Sequence, residues 1–253
     1  MCTLILLRRP SHRWPVLIAA NRDEMLERPS SPPARHWPDR PGVTAGRDDL
    51  AGGSWLGIND DGLVAAVMNR PSSLGPDPGK RSRGELVLEA LDHAEAAAAA
   101  EALRHLDPEA YRPFNLILAD PLQAFWLRSE GKGDGAVEAA ELPPGLSMFT
   151  AHDRNDLNSA RIAAHLPRFE AAELPDPGAG QWTDWERCLS SRETAPEGGE
   201  PSAMNIDTEF GFGTVSSALI ALPAPNSDGV KPVWRYADGR PDEAAFEAVD
   251  LGP

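Results

Sequence analysis

The sequence predicts an α/β (α+β) protein built as a four-layer α-β-β-α sandwich, and three observations carry that expectation. Strand-like runs come early and late, with helical segments grouped between them. The βαβ alternation of a doubly wound sheet is missing. Several strand-like runs are apolar at every position, so each has two faces to bury: one on a second sheet, one under helices.

The first such runs are Thr3–Leu7 and Pro15–Ala20, each flanked by turn residues. Ser30–Pro41 is rich in proline and reads as an irregular loop. Ser54–Ile58 and Leu63–Met68 flank Asn59-Asp60-Asp61-Gly62, a hairpin signal in which Gly62 supplies a positive φ. Pro71–Gly79 is a further loop. Glu85–Leu106 is helical by composition, and Asp92 is a candidate cap inside it, so one bent helix and two short ones are both open. Phe114–Ala119 and Ala124–Leu127 form a second hairpin across Asp120-Pro121. Ser147–Ala151 reads as a strand, and Ser159–Phe169 as a helix capped by Asn158. Gly178–Pro201 is loop-rich, with a short helix near Trp182–Leu189, and the late strands are Thr214–Leu222 and Val233–Tyr236. Residues 1–253 read as a single domain, with a charged tail from about residue 238 to 253 lying at its periphery.

Composition bounds the function. The chain has 24 basic and 39 acidic side chains, a net charge of −15, which argues against a broad nucleic-acid footprint. Arg70, Lys80, Arg81 and Arg83 form a local basic group that reads first as a solvated loop edge. Two cysteines, Cys2 and Cys188, make no disulfide framework. Leu4–Leu7 is too short for a signal peptide and is followed, not preceded, by Arg8-Arg9. No run approaches the ~20 apolar residues of a membrane span. The expectation is a reduced, cytoplasmic protein without stable membrane insertion. The six histidines show no metal-ligand spacing, so no metal site is expected. Gly211-Phe212-Gly213 lacks the third glycine and the strand–helix context of a dinucleotide loop.

The residues able to do chemistry lie at the amino terminus. If the first two strands pair antiparallel, Cys2 falls opposite roughly Asn21, at the same hairpin end as Arg22 and Asp23. A cysteine at position two becomes the first residue once an initiator methionine is removed, and its own α-amine then serves as base. An adjacent arginine would stabilise thiolate and oxyanion, and a carboxylate would hold the ammonium. Neighbouring strand residues point to opposite faces, so Arg22 and Asp23 cannot both lean on Cys2 unless the strand ends between them. The bland alternative makes Cys2 an edge-strand residue and Asn21–Glu24 a polar strand end.

Met1-Cys2-Thr3, Ala20-Asn21-Arg22-Asp23-Glu24, Gly52-Gly53-Ser54-Trp55-Leu56-Gly57-Ile58-Asn59, Asn69-Arg70, Ser82-Arg83-Gly84-Glu85-Leu86 and Phe114-Asn115-Leu116-Ile117-Leu118-Ala119-Asp120 recur here in one order, as does Gly213-Thr214. In these stretches the chain resembles the NRDE-motif family, also called the transport and Golgi organisation protein 2 family. That family is similar to N-terminal-nucleophile hydrolases of the choloylglycine and penicillin-V acylase kind, which have the α-β-β-α sandwich. The resemblance implies Cys2 as nucleophile, Arg22 and Asp23 as basic and acidic partners, and Asn69 as oxyanion-hole asparagine. Asn21, Glu24, Trp55, Asn59 and His152 are then candidate substrate contacts. Two places depart from the acylase pattern: Ala151 stands where a further asparagine is expected, and Val215 where many relatives carry an arginine.

The first functional expectation is a cysteine amidohydrolase for a non-peptide amide or acyl substrate, a small molecule, with no cofactor. The alternative implied by the resemblance is a non-catalytic carrier of haem or of acyl-CoA or lipid on the same fold. An interaction protein using the acidic surface is a third class.

Overall fold

The computed structural model describes residues 2–75, 77–133, 136–195, 202–225, 227 and 229–252. In chain order the strands are β1 (Thr3–Arg8), β2 (Val16–Met25), β3 (Ser30–Ala34), β4 (Val43–Asp48), β5 (Leu56–Asn59) and β6 (Val64–Asn69). Two short helices follow, α1 (Gly84–Ala90) and α2 (Ala96–Leu103). Then come β7 (Phe114–Ala119), β8 (Ala124–Ser129), β9 (Glu138–Glu141), β10 (Gly145–Phe149), α3 (Ala160–Ala171) and α4 (Thr183–Leu189). The chain closes with β11 (Phe212–Leu222), β12 (Val233–Ala237) and β13 (Glu247–Ala248). Among the described residues these strands make two antiparallel sheets, ordered β10-β1-β2-β11-β12-β13 and β3-β4-β5-β6-β7-β8-β9.

The sheets face each other, and alternation along each strand explains why. Leu4, Leu6 and Ile18 from the first sheet meet Ile58, Ala66 and Ile117 of the second in one core. The intervening residues Ile5, Leu7 and Leu17 pack with Ile162 and Phe169 of α3 and Trp185 of α4. Ala65, Leu116 and Leu118 pack with Leu86 and Val87 of α1 and Ala99 and Leu103 of α2. Each inner strand is therefore buried on both faces, which is why its sequence is apolar at consecutive positions. The expected α-β-β-α layering is present. No helix among the described residues is long and apolar enough to cross a membrane.

Several local expectations are corrected. Ser30–Pro41 is not wholly irregular: Ser30–Ala34 form β3, an edge strand whose register shifts between Ser31 and Ala34, where the prolines need no ladder partner. The helical stretch is two helices, and Asp92 caps neither. It pairs with Arg40 at 2.9 Å, while the first turn of α2 is capped from outside by Asp120, which accepts from the Ala96 amide at 2.7 Å. The cap of α3 is Ser159, whose hydroxyl accepts from the Ile162 amide, and not Asn158. The strand foreseen to Ala151 stops at Phe149. The β5–β6 hairpin turns at Gly62 with φ 85°, as read from the sequence. In the tail, β13 pairs with β12 at the sheet edge, and Val249 and Leu251 pack onto the core between the sheets. Part of the loop-rich stretch 178–201 lies outside the described residues.

Candidate active site

The register of the first hairpin sets the site. Thr3 pairs with Asn21 and Leu4 with Ala20, so Cys2 lies one step beyond the expected partner, towards Arg22. Cys2 and Ala20 pack on the core between the sheets, which places Arg22 on that inner face. Asn21 and Asp23 take the opposite face, under the helices. The strand does not end between Arg22 and Asp23, since β2 runs on to Met25. The two charges therefore act from opposite sides of the sheet, and what Asp23 turns towards Cys2 is its backbone oxygen, 3.9 Å from Sγ.

On the helix face Asp23 is enclosed by hydrogen bonds. Its Oδ2 accepts from Arg161 Nη1 at 2.8 Å and its Oδ1 from the Thr214 hydroxyl at 2.7 Å. Arg161 also donates to the Thr3 hydroxyl at 2.7 Å, tying β1, β2, β11 and α3 at one point. Asn21 is a structural neighbour of this cluster. Its amide donates to Leu189 O and Met204 O, and its Oδ1 accepts from Ser217.

A bulge in β11 explains how adjacent residues there serve both faces. Thr214 pairs with Asp23 and Ser216 with Arg22, so Val215 is the extra residue. Residues two apart normally share a face; the bulge turns Thr214 to Asp23 and Ser216 to the cleft. Val215, one of the two departures noted in the sequence, is the bulged residue.

On the inner face a narrow cleft, with a cavity volume of about 20 Å³, is walled by Cys2, Arg22, Trp55, Met68, Ser216 and Tyr236, among others. The Arg22 guanidinium lies 3.9 Å from the centre of the Trp55 ring and donates to the Ser30 hydroxyl at 2.8 Å. It thus spans from one sheet to the other. Trp55 rests against Gly46, where a Cβ would stand 2.3 Å from the ring.

The remaining expected site residues are dispersed. Asn69 ends β6, one residue past Met68 in the cleft wall. Glu24 is drawn outward, with Oε1 on the Met25 amide and Oε2 3.8 Å from Arg28. Asn59 ends β5, donating to Leu91 O and His93 O and accepting from the Leu63 amide across the turn. His152 faces Asp156, 3.7 Å away. Sequence reasoning missed Arg161, whose only signal is a lone arginine in the first turn of an amphipathic helix, and Asn115. Asn115 accepts from Arg70 and Trp126 and donates to Thr150 O and His152 O, so it pins the segment around Ala151 to the opposite sheet.

The thiol is not poised as a thiolate. Burial pushes the Cys2 thiol up from its ordinary value, and the Asp23 carboxylate adds to the rise, while Arg22 acts against it. Burial likewise raises the Tyr236 hydroxyl, at the cleft wall, to about 12. Among the described residues no group of three or more His, Cys, Asp or Glu side chains is placed to hold a metal ion.

The sequence profile of the family described as Transport and Golgi organisation 2 matches residues 1–156. The chain belongs to that family. Curated Transport and Golgi organisation 2 relatives include the mouse homolog, 33% identical over 51% of this chain and 48% of its own length. The human homolog is 36% identical over 42% of this chain and 38% of its own. The matched region thus spans about half or less of these relatives. Among solved structures, the fold of this family member is similar to a Caenorhabditis elegans ortholog of N-acylethanolamine-hydrolyzing acid amidase. The TM-score is 0.58 at 15% identity, covering 89% of this chain and 95% of the other. A point variant of conjugated bile acid hydrolase from Clostridium perfringens gives 0.55 at 12% identity, covering 99% and 92%. At such identities the likeness is one of fold, the N-terminal-nucleophile hydrolase fold.

Proposed function

We propose that this family member is a cysteine amidohydrolase of the N-terminal-nucleophile type, acting in the cytoplasm on a small acyl amide. The observation that carries the reading is the position of Cys2, at the end of the first strand and in the wall of an apolar cleft, beside Arg22. The two structural neighbours, both named as hydrolases, agree with it.

In the proposed reaction, Met1 is removed and the freed α-amine of Cys2 takes the thiol proton as Sγ attacks the substrate carbonyl carbon. A neutral resting thiol suits this, because the proton leaves only as the bond forms. The oxyanion is held by Asn69 at the end of β6, with Arg22 orienting the substrate at the mouth. The tetrahedral carbon then expels the amine, which takes the proton from the ammonium, leaving a thioester. Water hydrolyses the thioester to the acid and restores the thiol. The buried Arg161–Asp23 pair fixes the hairpin end from behind.

The carrier reading is weaker on the chemistry of the cleft. No histidine is among the residues that line it; Cys2, Met68 and Tyr236 are the candidate axial ligands for a haem iron there, and burial holds the Cys2 thiol and the Tyr236 hydroxyl neutral where ligation through them needs the anion. The deciding experiment combines intact mass and trapping. Loss of Met1, a mass increase equal to one acyl group on brief exposure to an acyl amide, and its absence in Cys2→Ala support the hydrolase. Stable haem binding unaffected by Cys2→Ala, with no acyl adduct, would decide against it.

A further inference from the structure

Four basic residues, Arg70, Lys80, Arg81 and Arg83, stand close together in the sequence, and the structure separates them. Arg70 is held by Asp153 at 2.8 Å and Glu130 at 2.9 Å. Arg81 is paired with Glu85 at 2.6 Å and with Glu89. Lys80 donates to the backbone of Glu109 at 2.8 Å. Arg83 is different. Its Nη1 donates to Ser73 O at 2.9 Å, Ser73 Oγ at 2.9 Å and Pro113 O at 3.0 Å. Those acceptors are all neutral, and among the described residues Arg83 makes no ion pair. Its Nε and Nη2 edge makes no hydrogen bond among them either.

The location gives this edge a purpose. Gly84, the next residue, accepts from the Ser54 amide at 3.0 Å and touches Gly53, where a Cβ would meet its carbonyl carbon at 2.5 Å. The start of α1 is thereby fixed to the residues just before Trp55 in the cleft wall. Pro113, which accepts from Arg83, precedes the residue paired with Asn69 at the end of β6. Arg83 is near enough for its charge to act on Cys2 and on Glu24. It is partly exposed and outside the apolar lining. In a chain of net charge −15, a half-buried arginine within electrostatic reach of the candidate nucleophile, and with no carboxylate hydrogen-bonded to it among the described residues, is placed to receive an incoming one.

We infer that Arg83 binds an anionic group, a carboxylate or a phosphorus oxyanion, on the amine half of the substrate, while the apolar cleft takes the acyl half. This rests on the hydrolase reading for the roles of the two halves. Burial and the nearby Arg112 push the Arg83 guanidinium down to about 10, a strain that an arriving anion relieves.

The test uses N-butanoyl-glycine against N-butanoyl-glycinamide, nearly identical in shape and differing in charge, with N-butanoyl-aminomethylphosphonate as the phosphorus arm. The expected result is a kcat/KM at least ~10-fold higher for one of the anionic compounds, the scale of one charge-assisted hydrogen bond. Which anion wins separates carboxylate from phosphonate. In Arg83→Gln the anionic-to-neutral ratio falls to about 1 through a higher KM, and Arg83→Lys keeps part of it. Because the ratio is taken within each variant, a general loss of folded protein does not mimic the effect. A ratio near 1 in the wild type, or one unchanged in Arg83→Gln, overturns the inference. If no compound turns over, the hydrolase reading fails, and calorimetric binding of the same compounds to wild type and Arg83→Gln decides for the anion site alone. Anion-selective binding lost in the variant upholds it, and no selective binding overturns it.

Discussion

Arg161, in the first turn of α3, and Asp23, in the second strand, form an ion pair of 2.8 Å with side chains only 5% and 0% exposed. A buried pair of this kind contributes little over an apolar pair of equal volume, yet removing one member strands the other. Arg161→Met is therefore expected to destabilise the fold by about 3–5 kcal/mol. Asp23→Asn with Arg161→Met should recover part of that loss, because no charge is left unpaired. Urea denaturation of the single and double variants checks it; equal losses in both would mean that the charge pair is not what Arg161 provides.

Gly46 and Trp55 make a second testable relation. A methyl group at Gly46 would stand 2.3 Å from the Trp55 ring, so Gly46→Ala must move the indole away from β4 and off the Arg22 guanidinium, or into the cleft. Overpacking of this kind costs about 1–3 kcal/mol. The expected outcome is a shifted tryptophan emission and weaker binding of the longer of two acyl amides, with the shorter less affected. Emission and acyl-length preference both matching wild type would show that Trp55 does not set the wall.

The layer order and the hairpin carrying Cys2 were legible because runs such as Thr3–Leu7 are apolar at every position, a pattern that only two buried faces explain. The register was legible to one residue, and that one residue matters, since it moved Cys2 from the face of Asn21 to that of Arg22. The bulge at Val215 was illegible: it is defined by pairing with another strand and has no glycine or proline to announce it. Arg161 was illegible for a related reason. A lone arginine on a helix looks solvated until the sheet beneath it supplies a carboxylate. Asn59 reads differently once the turn is seen, because its side chain is satisfied there by Leu91, His93 and Leu63.

The Cys2 thiol should titrate above the ordinary cysteine range in protein that retains Met1. Burial is the main cause, Asp23 adds to it, and Arg22 opposes it. The rate of alkylation by iodoacetamide, followed against pH, should therefore inflect above ~8.5, the value of a free cysteine. Arg22→Gln removes an opposing charge and should move the inflection higher still. An inflection well below the free value in the wild type would mean that the site stabilises thiolate in its resting state, and the proton-transfer order proposed above would be wrong.

His165 supplies a pH dependence of stability that is separate from the active site. It lies on α3, 1% exposed, with Nε2 on Ser202 O at 3.0 Å. Burial, followed by the positive charge of Arg168, pushes its pKa down to about 4 from an ordinary value of 6.5. The folded state thus resists a proton that the unfolded chain accepts. Between these two values the unfolded state binds more protons, so stability rises with pH across the window. It is fully present above pH 6.5 and is lost as pH falls towards 4, by up to about 3 kcal/mol from this residue. The thermal midpoint should fall over that interval in the wild type. His165→Gln removes the titration and should flatten the fall while lowering the midpoint at neutral pH, where the imidazole packs well. An equally steep fall in His165→Gln would assign the acid sensitivity to the carboxylates, with the Asp23–Arg161 pair as the next place to look.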